Sequence, residues 1–174
     1  MKERGILMKT IAFFNVKGGC GKTTSCINIS YILATKYEKK VLLIDLDPQA
    51  NSSDFFIDQD YDTSIEDVFV GRKNIKECIQ HTKYDRLDII PSTITLSRTE
   101  KAMVANTTEP QQLKLAAYLG DIETDYDYCI LDCSPSAETI TNINGLAAAN
   151  AVFVPLKADK WTIKGLQYTS VSYT

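Results

Sequence analysis

The sequence predicts a single α/β domain, in which a mostly parallel sheet lies between two layers of helices. Five short apolar runs are each continuous rather than alternating, as in strands that are buried on both faces. Longer segments with helical spacing separate these runs, and strands that alternate with helices form parallel sheets. The chain of 174 residues, 44% hydrophobic and 24% charged, is long enough to bury one sizeable core.

The predicted strands are rich in β-branched and aromatic residues and are bounded by polar, Gly or Pro residues. They are Ile11–Phe14, Val41–Ile44, Leu87–Ile90, Tyr128–Leu131 and Ala151–Val154, all expected to be buried. The predicted helices are Thr23–Lys36, Ser64–Gly71, Ile94–Val104, Pro110–Leu119 and Ala137–Ala149. The segment Asn51–Asp62 has four Asp in twelve residues and is predicted to be the longest loop.

Composition narrows the class of protein. The net charge of −3 argues against a surface that attracts nucleic acid everywhere, although it allows a local basic patch. No apolar run approaches the roughly 20 residues of a membrane span, and the N-terminus lacks the apolar region of a signal peptide. Five cysteines without a CxxC pair favour free thiols in a reducing compartment. We therefore expect a soluble, cytoplasmic protein without a membrane partner.

The strongest functional signal is the segment Asn15–Thr24, which reads NVKGGCGKTT between the first predicted strand and the first predicted helix. Glycines in this context let successive backbone N–H groups point at phosphate oxygens, and the helix adds its positive N-terminal end. Lys22 is predicted to neutralise the phosphates, and the Thr23 hydroxyl is predicted to bind magnesium. The common pattern G-x-x-x-x-G-K-[ST] is not met, because Val16 stands where its first Gly should be.

Simpler interpretations stay open for this segment. The glycines could form a turn that only joins a strand to a helix. Cys20 could be a redox-sensitive thiol beside the phosphates, or only a small side chain in a loop whose backbone makes the contacts.

The loop resembles the deviant Walker motif of the ParA/MinD ATPases, a branch of the P-loop NTPases with a three-layer α/β/α fold. Lys17 stands in the place of their signature lysine. The resemblance implies that Lys17 reaches across an ATP-dependent homodimer to the partner's phosphates, as an arginine finger does in trans. It also implies that ATP or ADP is held by Lys17, Gly18, Gly19, Cys20, Gly21, Lys22, Thr23 and Thr24.

Two carboxylates, Asp45 and Asp47, follow a buried strand that ends before Pro48. Open α/β sheets bind ligands at this end of their strands. The stretch resembles D-x-D-P-Q of ParA-like proteins more than the MinD branch. The resemblance implies that Asp47 orients the attacking water and that Asp45 shapes the magnesium surroundings. A plain pair of loop acids is the alternative.

Asp132 ends the apolar strand that begins at Tyr128, which is the Walker B form in which a carboxylate holds magnesium directly or through water. Many buried strands end in Asp, but the continuation Cys133–Ser136 resembles the D-x-x-P-S stretch of the same family. Cys129 and Cys133 invite comparison with the iron–sulfur cysteines of the nitrogenase iron protein. Thr139 stands about where that family has its cluster cysteine, so we predict no cluster.

The resemblance divides the chain into an N-terminal extension, residues 1–8, and a ParA-type ATPase domain, residues 9–174. Members of the family usually continue further, so the resemblance implies a fold truncated at its C-terminal side, without much of the adenine pocket and the DNA-binding residues. Lys164–Leu166 departs slightly from the family pattern E-G-L. Trp161 is interpreted as a packing residue and His81 as a surface residue.

The function implied by the resemblance is that of a Mg²⁺-dependent ATPase in plasmid or chromosome partition, weak without a ParB-like partner. Non-specific DNA binding and nucleoid association are expected of the full-length protein more than of this chain. A MinD-like membrane-associated positioning ATPase is disfavoured, because Trp161–Thr174 lacks a basic amphipathic anchor. A non-catalytic nucleotide-gated assembly module is the other alternative. The basic clusters Lys36–Lys40 and Arg72–Lys76 are interpreted as solvated helix ends rather than phosphate contacts.

Overall fold

The computed structural model describes residues 7–157, which form one six-stranded sheet with helices on both faces. The strands are Lys9–Phe13 (β1), Val41–Leu46 (β2), Gln80–His81 (β3), Leu87–Ile90 (β4), Tyr128–Cys133 (β5) and Ala151–Phe153 (β6). Their order across the sheet is β3-β4-β2-β5-β1-β6, and within it the β3–β4 pair is antiparallel while the others are parallel. The predicted α/β class is confirmed.

The helices form two layers. They are Lys22–Thr35 (α1), Asn51–Phe56 (α2), Ile65–Phe69 (α3), Leu96–Ala105 (α4), Lys114–Leu119 (α5) and Ile140–Ala148 (α6), with short 3₁₀ turns at Ile75–Cys78 and Gly120–Ile122. Buried residues of α1 and α2 pack in one hydrophobic cluster on the sheet, and those of α3 to α6 pack in a second cluster. The sheet therefore lies between two apolar layers.

The central strand β2 shows why its sequence is continuously apolar. Val41 and Leu43 belong to the cluster on the α1 side, whereas Leu42 and Ile44 belong to the opposite cluster. All four are fully buried. Successive side chains of a strand point to opposite faces, so a strand covered on both faces needs apolar residues at every position.

Two predicted segments were wrong in detail. The expected loop Asn51–Asp62 contains the helix α2, which begins after Ala50 in a left-handed conformation with φ of 53°. Pro110–Leu119 was predicted to be a helix throughout, but α5 covers Lys114–Leu119. The backbone before α5 is instead held by a tertiary hydrogen bond, in which Asn144 Nδ2 donates to the carbonyl of Gln111 at 2.7 Å.

Two strands also differ from the expectation. Ala151–Val154 was predicted to be a buried strand, but all three residues of β6 are exposed, since β6 forms the margin of the sheet within residues 7–157. The two-residue strand β3 was not predicted, because two residues are too few to show a periodic pattern.

Met8, which the sequence places in the extension, is buried in the core, and its N–H donates to the Glu123 carbonyl at 3.1 Å. The interpretations of Trp161 and of Lys164–Leu166 concern residues outside the described part of the chain. Within residues 7–157, no helix combines the length and the apolar character needed to cross a membrane.

Candidate functional site

The predicted site residues meet at the carboxyl edge of the sheet. Strands β1, β5 and β2 are neighbours, and their register pairs Asp132 with Phe13 on one side and with Asp45 on the other. The glycine-rich loop leaves β1 at this edge and leads into α1. The edge is the place where open parallel sheets bind ligands.

The backbone of the loop depends on glycine at two positions. Gly19 has a φ of 68° and Gly21, the residue before α1, has a φ of 96°, values that residues with a side chain rarely adopt. Asn15 fixes the start of the loop, because its Oδ1 accepts from the Lys17 N–H at 2.9 Å and its Nδ2 donates to the Pro155 carbonyl at 2.9 Å. The loop therefore has a defined backbone conformation that is held by hydrogen bonds.

The ammonium group of Lys22 lies inside this loop. Lys22 is 6% exposed, and its Nζ donates to the Lys17 carbonyl at 3.3 Å, a carbonyl that also accepts from Cys20 Sγ at 3.2 Å. The first turn of α1 contains no acidic residue, so the positive end of the helix is not neutralised there. An anion held by the loop amides would meet both positive charges.

The carboxylate of Asp132 is buried, with 1% of the residue exposed. No hydrogen bond of normal geometry reaches either of its oxygens from the described residues. Burial raises the pKa of Asp132 to about 7, and the charge of Asp45 adds to this effect, whereas the Thr23 and Ser52 hydroxyls oppose it. A buried carboxylate without hydrogen bonds is unfavourable, so this group is suited to a positive ligand.

The neighbouring carboxylate of Asp45 is fully hydrogen-bonded. Its Oδ1 accepts from the Asp47 N–H at 3.0 Å, and its Oδ2 accepts from the N–H and the hydroxyl of Ser53 at 3.0 and 2.7 Å. Burial still raises the pKa of Asp45, although these hydrogen bonds lower it in part. Asp45 thereby fixes both the turn after β2 and the helix α2.

Asp47 follows β2 at the same edge of the sheet and is 9% exposed. Its Oδ1 accepts from the Gln49 N–H at 2.9 Å. Its backbone carbonyl accepts from the Ser92 hydroxyl and from the Ala50 N–H, both at 2.9 Å. The position of this carboxylate is thus determined by the turn that carries it and by the neighbouring strand end.

The loop after β5 is held by Asn142 of α6. Its Nδ2 donates to the carbonyl and hydroxyl oxygens of Ser134 and to the Ser136 carbonyl, at 3.0, 2.9 and 2.5 Å, and its Oδ1 accepts from the Ser134 N–H at 3.1 Å. Asn142 is fully buried. These bonds fix the backbone that follows Asp132.

Sequence reasoning gave no role to Asn15, Ser53, Ser92 or Asn142. Each of them acts through hydrogen bonds to a residue that is distant in the chain or to a loop or turn, and single polar residues of this kind form no periodic pattern. The Asn in front of the glycine-rich loop is the one signal that could have been used. All residues that were predicted for the site nevertheless lie at this edge.

The donors at this edge fit magnesium. The two oxygens of Asp132 and the Thr23 hydroxyl are hard oxygen donors, which Mg²⁺ prefers. Residues 7–157 contain no group of three or more His, Cys, Asp or Glu that could hold a metal by themselves. Mg²⁺ usually binds through one or two carboxylates together with substrate phosphates and waters. The arrangement therefore suits a cation that arrives with a nucleotide.

Residues that were set apart from the site lie elsewhere. His81 is exposed, as predicted, and its Nδ1 lies 2.7 Å from Asp88 Oδ1. All five cysteines carry free thiols, and Cys129 and Cys133 are buried in the core. In the second basic cluster, Arg72 pairs with an acidic side chain, as do Lys73 and Lys76. These pairs favour the interpretation of that cluster as a solvated surface.

Comparison with known sequences extends over nearly the whole chain. Residues 8–171 match a protein family described as an AAA domain. The chromosome-partitioning ATPase Soj of Treponema pallidum (strain Nichols) is 38% identical over 158 residues, which are 91% of this chain and 60% of that protein. The sporulation initiation inhibitor protein Soj of Bacillus subtilis (strain 168) is also 38% identical, over 91% of this chain and 62% of that protein. The chain thus spans about 60% of the length of these relatives.

Solved structures agree with the sequence comparison. Cobyrinic acid a,c-diamide synthase from Mycobacterium smegmatis, with bound ADP and magnesium, superposes with a TM-score of 0.85 and 27% identity over 95% of this chain and 66% of that chain. A putative plasmid partition protein from Borrelia burgdorferi B31, bound to AMPPNP, superposes with a TM-score of 0.84 and 29% identity over 95% and 68%. The chain belongs to the AAA domain family that matches residues 8–171 and, within it, to the ParA/Soj-type partition ATPases of the MinD/ParA group.

Proposed function

We propose that the protein binds ATP with Mg²⁺ and hydrolyses it slowly, as a dimerisation switch in plasmid or chromosome partition. The observation that carries the proposal is the buried Asp132 carboxylate, which has no hydrogen bond within residues 7–157 and lies beside the Lys17–Thr24 loop. The name of the Treponema pallidum relative as a chromosome-partitioning ATPase supports the biological role. The nucleotides and magnesium in the two similar structures support the choice of ligand.

Nucleotide binding uses the loop and the start of α1. The amides of residues 17–24 and the N-terminus of α1 hold the phosphates, and the Lys22 ammonium neutralises part of their charge. Thr23 and Asp132 would hold Mg²⁺, which would withdraw charge from the phosphates when it is bound. Asp45 shapes the surroundings of the metal by positioning its neighbours, because its own oxygens already accept three hydrogen bonds.

Turnover uses Asp47 and Lys17. Asp47 orients the water that attacks the terminal phosphate, and its position in the turn after β2, at the carboxyl edge from which the loop also leaves, supports this role. Lys17 crosses to the partner's nucleotide in the ATP-dependent homodimer and stabilises charge on the transferring phosphoryl group. Hydrolysis by the separate monomers is slow because each site then lacks that cation.

The same family membership supports the proposed partners. A ParB-like protein stimulates turnover, and the full-length protein binds DNA non-specifically in its ATP form. The protein acts in the cytoplasm on the nucleoid. Co-sedimentation of the full-length protein with DNA and with liposomes, each with Mg²⁺-ATP, tests this assignment. Binding to lipid but not to DNA would favour the positioning ATPase over partition.

Phosphate release and ADP calorimetry on the full-length protein test the site. The Lys22→Ala variant loses ADP binding and turnover together, whereas Asp47→Ala keeps ADP binding and loses turnover by about 100-fold. Lys36→Ala and Asp54→Ala, which change exposed residues, serve as matched controls and behave as the wild type. Equal rates in all five proteins would remove the catalytic assignments and favour a non-catalytic module.

A separate variant tests the dimer. Lys17→Ala binds ATP nearly as the wild type does but loses the increase of turnover with protein concentration. The rate per molecule is measured over a range of protein concentrations, with Lys36→Ala as the control. Fast, concentration-independent hydrolysis by Lys17→Ala would contradict the role in trans.

A further inference from the structure

Buried hydroxyl groups join the end of β2 to the end of β4. Ser53 Oγ donates to Asp45 Oδ2 at 2.7 Å and accepts from the Ser92 N–H at 3.0 Å. The Ser92 hydroxyl in turn donates to the backbone carbonyl of Asp47 at 2.9 Å. Both serines are fully buried. Ser92 therefore contacts the residue that orients the attacking water in the proposed function.

Ser92 is itself held from a second side. Tyr61 donates its hydroxyl to the Ser92 carbonyl at 2.6 Å. The residues on either side of Ser92 are fixed as well, because the Ile65 N–H donates to the Pro91 carbonyl at 2.8 Å and the Thr93 N–H donates to Glu66 Oε1 at 3.0 Å. Three consecutive residues are thus bound to the segment 61–66, so the Ser92 hydroxyl is placed by a rigid frame.

The contact differs in kind from the other hydrogen bonds of Asp47. The bonds to Asp45, Gln49 and Ala50 lie within the turn of residues 45–50 and determine its shape. The bond to Ser92 comes from the segment that follows β4 and fixes where that turn lies relative to this strand end. A turn can keep its shape while it moves as a unit, and this bond restrains that movement.

We infer that Ser92 is a positioning residue for Asp47, whose hydroxyl holds the turn after β2 in the place that ATP hydrolysis requires. The inference rests on the proposed function, since it assigns a further residue to the same reaction. Nucleotide binding, in contrast, depends on the Lys17–Thr24 loop and Asp132, with which Ser92 makes no hydrogen bond. Loss of the hydroxyl is therefore expected to separate turnover from binding.

The test uses Ser92→Ala in the full-length protein. The kcat for ATP falls about tenfold, because a small misplacement of a water-orienting group is enough for such a loss, while the Kd for ADP stays within about twofold of the wild type. Ser30→Ala is the matched control, since Ser30 is also fully buried but its hydroxyl has no partner within residues 7–157. It keeps both values.

Amide hydrogen exchange without nucleotide gives a readout that does not depend on activity. The backbone of residues 45–50 exchanges faster in Ser92→Ala than in the wild type and Ser30→Ala, whereas the loop of residues 17–24 exchanges equally in all three. If the wild type neither binds nor hydrolyses ATP, the proposed function fails, and equal exchange at residues 45–50 separately overturns the restraint by Ser92.

A second variant covers the case in which Ser92→Ala does not fold. Tyr61→Phe removes the hydrogen bond to the Ser92 carbonyl and keeps the ring, so it lowers kcat by about two- to threefold at an unchanged Kd. A wild-type kcat in Ser92→Ala, or in Tyr61→Phe if that is the variant that folds, would overturn the inference. An equal fold-change in kcat and Kd would also overturn it, since that result indicates a purely structural residue.

Discussion

The ends of β2 and β5 carry two aspartates that are direct neighbours in the sheet, yet their surroundings are opposite. Asp45 and Asp132 are paired in register, and both are almost completely buried. Asp45 accepts three hydrogen bonds from Asp47 and Ser53. Asp132 accepts none from the described residues. Burial raises the pKa of both carboxyl groups, and this effect is opposed at Asp45 by its hydrogen bonds to Ser53 and Asp47 and at Asp132 by the nearby Thr23 and Ser52 hydroxyls.

The difference indicates that the same residue type at the same edge of a sheet serves two purposes. At the end of β2, the chain itself supplies the hydrogen bonds of the Asp45 carboxylate, and this carboxylate organises the turn that carries Asp47. The end of β5 is left for a ligand, because nothing in residues 7–157 satisfies the Asp132 oxygens. A positive ligand at β5 would also relieve the repulsion between the two carboxylates.

The largest expected effect comes from breaking the end of β2. Asp45→Ala leaves the buried N–H groups of Asp47 and Ser53 without an acceptor, and we expect it to lower the free energy of unfolding by about 3 kcal/mol. Urea denaturation without nucleotide measures this change. Asp54→Ala, an exposed acid on α2, is the control and should change stability little. A loss equal to that of the control would mean that the network around Asp45 does not support the fold.

The second-largest expected effect on stability comes from binding of Mg²⁺ and nucleotide at the end of β5. Mg²⁺-ADP at about 100 times its Kd should stabilise the folded protein by about 2.7 kcal/mol. Asp132→Ala should lose most of the part that depends on Mg²⁺, because the buried oxygens that face the cation are gone. Thermal unfolding with ADP, with and without EDTA, separates the metal contribution from that of the nucleotide. The same gain from Mg²⁺ in both proteins would assign the metal to other groups.

The sequence predicted the elements that depend on local pattern. The continuous apolar runs predicted β2, β4 and β5 closely, and the strand–glycine–helix context predicted the loop and α1. Those features depend on residue spacing and on backbone conformations that few residue types tolerate, such as the left-handed conformation of Gly21. The grouping of Asp45, Asp47 and Asp132 at one edge followed from their positions at strand ends.

The remainder depends on contacts between distant residues. The first turn of the helix α2 is held by Asp45, which accepts from the Ser53 N–H, and no run of apolar residues signals this helix. The opposite states of Asp45 and Asp132 were also not predictable, since both follow apolar strands in the same way. Whether a carboxylate is satisfied is decided by a hydroxyl such as that of Ser53, whose position is known only from the fold.

A smaller effect concerns the charge at the end of β5. In the ligand-free protein, burial raises the pKa of Asp132 from 3.8 to about 7. The stability that protonated Asp132 contributes is therefore fully present below the pKa of the unfolded chain, 3.8, and is lost as the pH rises through the pKa of the folded protein, about 7. Asp132→Asn should therefore be more stable than the wild type by at least about 1 kcal/mol at pH 8. Denaturation at pH 5 and pH 8 checks this, and the advantage must shrink at pH 5. An advantage that does not depend on pH would point to packing instead of charge.

The smallest expected effect lies in the glycine-rich loop, which leaves β1, the neighbour of β5 in the sheet. Cys20 makes one weak hydrogen bond, from Sγ to the Lys17 carbonyl at 3.2 Å, and its side chain is half-buried. Cys20→Ala should change the free energy of unfolding by less than about 0.5 kcal/mol, and it should keep ADP affinity within about twofold, because the backbone makes the phosphate contacts. Incubation with oxidised glutathione then separates the two interpretations of this thiol. If the wild type loses ADP binding while Cys20→Ala keeps it, the thiol is redox-sensitive, whereas equal binding in both proteins leaves Cys20 as a small side chain in a backbone-built site.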